Sequence, residues 1–128
     1  MRYELASSSW DNKEIEAIND VIKRDTYTMG ESVKQFEKDF ARFTQNKYCV
    51  MVNSGSSANL LAVAALFYKK DNPLKRGDEV IVPAVSWATT YYPLYQYGLK
   101  LKFVDIDKYT LNFDIEELKK ALTDNTRI

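Results

Sequence analysis

Apolar residues recur along this chain with two different periods, and the changes of period mark out its elements. From Asn12 to Ile22 the apolar positions Ile15, Ile18, Val21 and Ile22 keep helical spacing, with Asp11 placed as N-cap, which predicts a surface helix. The polar, β-branched segment Asp25-Thr26-Tyr27-Thr28-Met29, closed by Gly30, reads as an irregular connection. Beyond Glu31, the residues Val33, Phe36, Phe40 and Phe43 fall at steps of three and four, on one stripe of a second helix that is expected to face a core. The period then shortens. Tyr48-Cys49-Val50-Met51-Val52 has the look of a buried strand, and Ala58 to Phe67, apolar nearly all round, of a helix packed on both sides. After a loop from Lys69 to Asp78 that holds Pro73 and Gly77, Val80-Ile81-Val82 predicts a second strand. Ala88 to Tyr97 predicts a helix that Pro93 should kink or interrupt. Leu101 to Asp105 reads as a third strand, and Asp114 to Leu122 as a last amphipathic helix on Ile115, Leu118 and Leu122.

Strands alternating with helices imply crossover connections and a parallel sheet, an α/β architecture. The closing residues Thr123 to Ile128 look like a turn into another strand. A three-stranded parallel sheet with apolar helices on both faces would leave much apolar surface uncovered, so the chain is expected to be a piece of a larger domain.

Composition narrows the chemistry. In 128 residues Lys plus Arg is 18 and Asp plus Glu is 18, so there is no basic excess of the kind a nucleic-acid partner requires. The single Cys49 makes no internal disulfide, and the N-terminal Met1 to Ser7 lacks the apolar core of a secretory signal, which fits a reducing cytoplasm. The longest apolar run, near Leu60 to Phe67, is too short to cross a bilayer. Histidine is absent, which excludes a Ser-His-Asp triad and a His-containing zinc site, and one cysteine excludes a thiolate metal cluster. No metal site is expected. Asp, Glu, Lys, Tyr, Ser or a borrowed cofactor remain for catalysis.

Two stretches carry candidate chemistry. Asn53-Ser54-Gly55-Ser56-Ser57-Ala58-Asn59 lies between a predicted strand and a predicted helix, where free N–H groups, a helix dipole and serine hydroxyls can hold a phosphate. The plainer alternative is that Ser56 or Ser57 only caps the helix. The pattern is neither a P-loop nor a dinucleotide fingerprint. The second stretch, Pro83-Ala84-Val85-Ser86-Trp87-Ala88-Thr89-Thr90, places an indole after the C-terminal end of a strand, on the sheet edge where ligands collect in α/β folds. An aromatic ring carrying a phosphate would suit both turns; the alternative is that Trp87 packs against the end of the sheet. Tyr91 and Tyr92 are read as packing residues, and Asp105 and Asp107 as structural.

The segments Val52-Asn53-Ser54-Gly55-Ser56-Ser57-Ala58-Asn59-Leu60, Pro83 to Trp87 and Phe103-Val104-Asp105-Ile106-Asp107, in this order and spacing, resemble the N-terminal part of the sugar aminotransferase and dehydratase family. These are fold-type I enzymes that use pyridoxal 5′-phosphate (PLP) or pyridoxamine 5′-phosphate (PMP). The likeness begins at Leu5-Ala6-Ser7-Ser8, includes Tyr27-Thr28-Met29-Gly30 and runs through essentially the whole chain. It implies a three-layer α/β/α fold with a mostly parallel sheet, incomplete here. Residues 1–45 would form N-terminal helices and a substrate-lining segment, and residues 46–128 the first β-α-β-α-β-α part of the PLP-binding large domain. Ser-Gly-Ser-Ser-Ala-Asn and Pro-Ala-Val-Ser-Trp-Ala-Thr-Thr-Tyr-Tyr-Pro are more similar to the deoxygenating branch than to the aminotransferases proper, which tend to have Ser-Gly-Thr-x-Ala and a Phe-containing segment at these places.

Carried over by motif, the resemblance implies that Gly55 and Ser56 hold the cofactor phosphate and that Trp87 stacks on the pyridine ring. Asp25, Thr26, Tyr27 and Thr28 would line a nucleotide-sugar pocket. The Schiff-base Lys, or the His that replaces it, and the carboxylate that pairs with the pyridine nitrogen are expected beyond residue 128. The implied activity is C3 dehydration of a nucleotide-linked 4-keto-6-deoxy sugar by a homodimer, with a PLP sugar aminotransferase as the alternative. A non-catalytic phosphate-binding domain is the alternative of another class.

Overall fold

The computed structural model describes Glu4 and residues 6–128; Met1, Arg2, Tyr3 and Leu5, part of the N-terminal stretch read above, lie outside the described residues. It comprises two compact units, Met1–Met51 and Val52–Ile128.

The first unit holds helices α1 (Asn12–Arg24) and α2 (Glu31–Phe43). Asp11 caps α1 as its spacing predicts: its carboxylate accepts from the Lys13 N–H at 2.7 Å, while the Glu14 side chain accepts from the Asp11 N–H at 2.7 Å. This reciprocal box satisfies donors that the first turn cannot pair internally. The helix ends where Asp25 turns left-handed, with φ of 51°.

Two expectations fail in this unit. The stripe Val33, Phe36, Phe40 and Phe43 forms, with the Phe36 and Phe40 rings stacked at 5.5 Å, but among the described residues it faces no core: Phe43 is 84% exposed and only Ala41 of α2 is buried. Periodicity names the face of a helix, and another element is needed to cover it. Nor do Tyr48 to Val52 form a strand. Among the described residues no neighbouring strand pairs with them, and the Met51 N–H donates instead to the Glu37 carboxylate at 2.8 Å. An apolar run becomes a strand only where a ladder partner exists.

The second unit contains α3 (Gly55–Phe67), β1 (Glu79–Pro83), α4 (Ala88–Gln96), β2 (Lys100–Val104) and α5 (Ile115–Ala121). The predicted first strand is therefore missing from the expected β-α-β-α-β-α order, while the other elements appear in sequence. Strands β1 and β2 pair in parallel, with Val80 opposite Leu101 and Val82 opposite Phe103, and α4 makes the crossover between them. On the other edge of β1, Arg127 N–H donates to Glu79 O at 2.9 Å and Ile81 N–H to Ile128 O at 2.8 Å. The last residues thus turn into a further strand position, as expected.

Along β1 the burial alternates, with Val80 and Val82 almost fully covered. Together with Leu74, Leu94 and Leu99 they form the core, onto which Val63, Leu66 and Phe67 of α3 and Tyr91 of α4 pack. Removing these side chains from water is the main stabilising term for the unit. α4 ends in a Schellman arrangement: Gly98 N–H donates to Tyr95 O at 2.8 Å and Leu99 N–H to Leu94 O at 3.0 Å, with Gly98 at φ of 76°. Gly takes that left-handed conformation without a Cβ penalty, which turns the chain directly into β2.

Candidate functional site

α3 begins three residues earlier than its apolar run suggests, at Gly55, because Ser54 provides the cap. Ser54 stands in extended backbone, and its Oγ accepts from the Ser57 N–H at 3.2 Å and donates to the Ser57 Oγ at 3.2 Å. The cap is Ser54, not Ser56 or Ser57. With Ser57 satisfied by the cap and Ala58 N–H bonded to Ser54 O at 3.0 Å, two donors of the first turn remain. Among the described residues the Gly55 and Ser56 N–H groups have no acceptor. A Cβ placed on Gly55 would meet nothing within 4 Å, so the space before these amides is open.

The charge pattern points the same way. Helices α1, α2 and α5 carry carboxylates in their first turns, as Glu14, Glu31 and the pair Glu116 and Glu117. α3 and α4 carry none. The partial positive charge at these two helix starts is thus not offset by a carboxylate in their own first turns.

Those two helix starts border one cavity of about 350 Å³, walled by Ser56, Ser57 and Leu60 of α3 and by Thr89, Tyr92 and Pro93 of α4. Trp87 is the N-cap residue of α4 and follows the C-terminal end of β1; its indole is 78% exposed. It does not pack against the end of the sheet. The first turn of α4 is held by a 2.9 Å contact between the Ser86 and Thr90 hydroxyls.

Pro93 does not interrupt α4, which runs unbroken from Ala88 to Gln96. A proline cannot donate to the carbonyl four residues before it, here Thr89. The Asn59 side-chain amide of α3 donates to that Thr89 oxygen instead, at 3.3 Å. The orphaned acceptor is satisfied, and the helix continues through the proline.

The tyrosines divide. Tyr91 packs as read, its hydroxyl donating to Pro83 O at 2.7 Å and its ring set edge-on to Phe103 at 5.4 Å. Tyr92 is 60% exposed and lines the cavity, because neighbouring helix residues point about 100° apart and cannot both face the sheet. Asp105 and Asp107 are structural, as read. Asp105 accepts from the Ile106 N–H at 2.8 Å, and the Thr110 and Tyr109 N–H groups donate to Asp107, holding its carboxyl below the usual range.

In the first unit, Thr26, Tyr27 and Thr28 line a concavity of about 210 Å³ together with Arg24 and Ser32. Asp25 is not part of that lining; it terminates α1, its N–H donating to Ile22 O at 3.1 Å. Arg24, whose guanidinium reaches the Ser32 hydroxyl at 3.4 Å, was not singled out from the sequence, nor were Asn59 or Thr89, and Tyr92 was read only as a packing residue. Arg24 looks there like an ordinary last-turn cation. Asn59 gives a signal, as the one polar side chain between Ser57 and Phe67.

The structure thus places a helix start with two unpaired amides at Gly55 and Ser56, and an exposed Trp87 after the C-terminal end of β1, on two helices that border one cavity. The DegT/DnrJ/EryC1/StrS aminotransferase family model matches residues 8–128, and the chain belongs to that family. It is 61% identical over 127 residues to the GDP-4-keto-6-deoxy-D-mannose 3-dehydratase of Yersinia pseudotuberculosis, covering 99% of this chain and 32% of the relative. The structure of the E. coli GDP-4-keto-6-deoxy-D-mannose-3-dehydratase with bound hydrated PLP superposes with a TM-score of 0.91 at 62% identity, over 98% of this chain and 32% of that one. The PMP form of a sugar aminotransferase, Spr1654 from Streptococcus pneumoniae, follows at 0.83 and 26%, over 98% of this chain and 30% of that one. The chain thus spans about a third of the length of the relatives it matches. The fold class expected from the motifs, the opening part of a fold-type I large domain, holds.

Proposed function

We propose that this chain supplies the phosphate and ring contacts of a PLP- or PMP-dependent enzyme that removes the C3 hydroxyl of a nucleotide-linked 4-keto-6-deoxy sugar. The observation that carries the reading is the pair of unpaired amides at Gly55 and Ser56, on a helix start without carboxylates, in a chain 61% identical to a 3-dehydratase. The residues present fit the cofactor. Two N–H donors, the Ser56 and Ser57 hydroxyls and the helix dipole suit a phosphate dianion, and the exposed Trp87 offers a flat apolar face to a pyridine ring. When bound, PLP or PMP supplies an electron sink beside the carbon whose C–O bond breaks.

This chain's own residues bind and orient. Ser54 fixes the first turn of α3, so that the amides are preorganised and lose little freedom on binding. Trp87, fixed by the start of α4, sets the plane of the ring and shields one face of it from water. Asp25, Thr26, Tyr27 and Thr28 are assigned to the nucleotide sugar: Thr26 to Thr28 offer hydroxyls in a concavity that also holds Arg24, and Asp25 sets the turn that presents them. The proton-handling group is assigned to the part of the enzyme outside the matched third of its relatives. We assign the enzyme to the cytoplasm as a homodimer; among the described residues no helix is long and apolar enough to cross a membrane.

The test is product analysis. The whole protein, charged with PMP and given GDP-4-keto-6-deoxy-D-mannose, is expected to yield a sugar lacking the C3 oxygen, seen by mass spectrometry and proton NMR. A product that keeps every ring oxygen except the C4 carbonyl, now an amine, would assign it to the aminotransferases. Failure to take up PLP or PMP at all would leave a phosphate-binding domain.

A further inference from the structure

Asn59 joins the two halves of the proposed cofactor site, and the chemistry of Pro93 explains why a side chain does so. In an uninterrupted helix the Thr89 carbonyl would accept from the N–H of residue 93, and here that N–H does not exist. The carbonyl lies in the first turn of α4, two residues after Trp87, and it receives the Asn59 amide at 3.3 Å. Asn59 itself lies one turn beyond Gly55 on α3. It is otherwise out of place, since the helix around it is apolar from Leu60 to Phe67 and Asn is a mediocre helix former. The only polar contact of its side chain among the described residues bridges α3 to α4.

We infer that Asn59 is a positioning residue for the cofactor: by taking the place of the donor that Pro93 lacks, it fixes the first turn of α4, and Trp87 with it, against the phosphate-binding turn of α3. The assignment rests on the cofactor reading above. Asn59 touches neither phosphate nor ring in this scheme; it acts through the α4 start. Its removal leaves the Gly55 and Ser56 amides intact but lets the indole drift from the plane the ring needs.

The distinguishing test uses the proline. In the whole protein, Asn59→Leu keeps the size and removes the donor, whereas Pro93→Ala restores a backbone N–H to the Thr89 carbonyl. PLP affinity and the visible circular dichroism of the bound cofactor are followed for wild type, both single variants and the double variant. Asn59→Leu is expected to weaken PLP roughly 3- to 10-fold, the share of one hydrogen bond, and to diminish the dichroic band. In the Pro93→Ala background the same substitution should change affinity less than about twofold, and Asn59→Gln, which keeps an amide donor, should retain most of the wild-type affinity. Equal losses from Asn59→Leu with and without Pro93, or equal losses from Leu and Gln, would overturn the inference. Amide hydrogen exchange in α4 without cofactor reads the clamp independently: Asn59→Leu should speed exchange at Tyr91 and Tyr92, and Pro93→Ala should reverse it. If wild type takes up no PLP the functional reading fails, while the exchange pattern still decides whether Asn59 holds α4; unchanged exchange sinks the clamp alone.

Discussion

Trp87 gives the sharpest quantitative expectation, because it stands at the start of α4 and is 78% exposed. A side chain that exposed contributes little to folding, and the surface it hides on binding is nearly all new burial. Covering one face of the indole removes on the order of 80 Å² of apolar surface, which at about 25 cal/mol per Å² is about 2 kcal/mol. Stacking geometry adds about 0.5–1.5 kcal/mol, and freezing the side chain costs a comparable amount. Trp87→Ala should therefore cost about 1–3 kcal/mol of cofactor affinity, a roughly 5- to 150-fold weaker Kd for PLP. The fold should barely respond, with the unfolding free energy of the cofactor-free protein changing by less than about 0.5 kcal/mol. Trp87→Phe, which keeps a ring, should recover much of the affinity. Titrating PLP against absorbance, beside urea unfolding without cofactor, measures both quantities. Unchanged PLP affinity in a folded Trp87→Ala protein would refute the stacking assignment, and a large loss of stability without cofactor would show that the indole belongs to the fold after all.

Further expectations follow from the same structure. Ser54→Ala should destabilise by about 1 kcal/mol through loss of the α3 cap, and Ser54→Gly by only a few tenths, as chemical unfolding would show; equal losses would mean the hydroxyl is not the cap. Leu99→Ala should cost about 2–5 kcal/mol, because Leu99 is buried in the core cluster, and a cost below about 1 kcal/mol would contradict the packing described. Glu79 is held below the usual carboxylate range, first by the Thr126 hydroxyl at 2.8 Å and further by Thr123 and Lys102. Its lowered value in the folded state means that its stabilisation is present above the ordinary carboxylate range and is lost as pH falls through the folded value. Urea midpoints measured from neutral to acid pH should fall less steeply for Glu79→Gln than for wild type, and identical slopes would remove Glu79 from the acid response.

What the sequence disclosed depended on whether a signal was local. The Asp11 cap, the alternating Val80 and Val82 and the parallel crossover through α4 are written in short-range spacing, and they appear as read. Tyr48 to Val52 carry equally good strand chemistry, but a strand is a relation between two segments, and among the described residues the second is missing. The Phe36, Phe40 and Phe43 stripe fails for the same reason, since a helix face does not state what covers it. At the site, Gly55, Ser56 and Trp87 stood out because phosphate turns and sheet-edge aromatics have recognisable contexts. Asn59 did not, because its meaning depends on a carbonyl thirty positions away, left without its usual donor by a proline in another helix. The expectation that Pro93 would break α4 applied the proline rule to one helix alone, while the compensating group came from another.

The thirty-residue separation of Asn59 and Thr89 also bears on when the cradle forms. Its phosphate turn, its indole and the bond that ties them all come from one stretch of chain, closed by a single connection and one strand. Loop closure over that distance is inexpensive, rising by only about 0.6 kcal/mol for each doubling of length, and contacts of short sequence separation form fast. During synthesis, the segment from Ser54 to Gln96 leaves the ribosome as one continuous length. The bond that ties the cradle is therefore local in sequence, whereas β1 beneath it finds its partner strand, and the core its Leu99, only in the residues that follow Gln96.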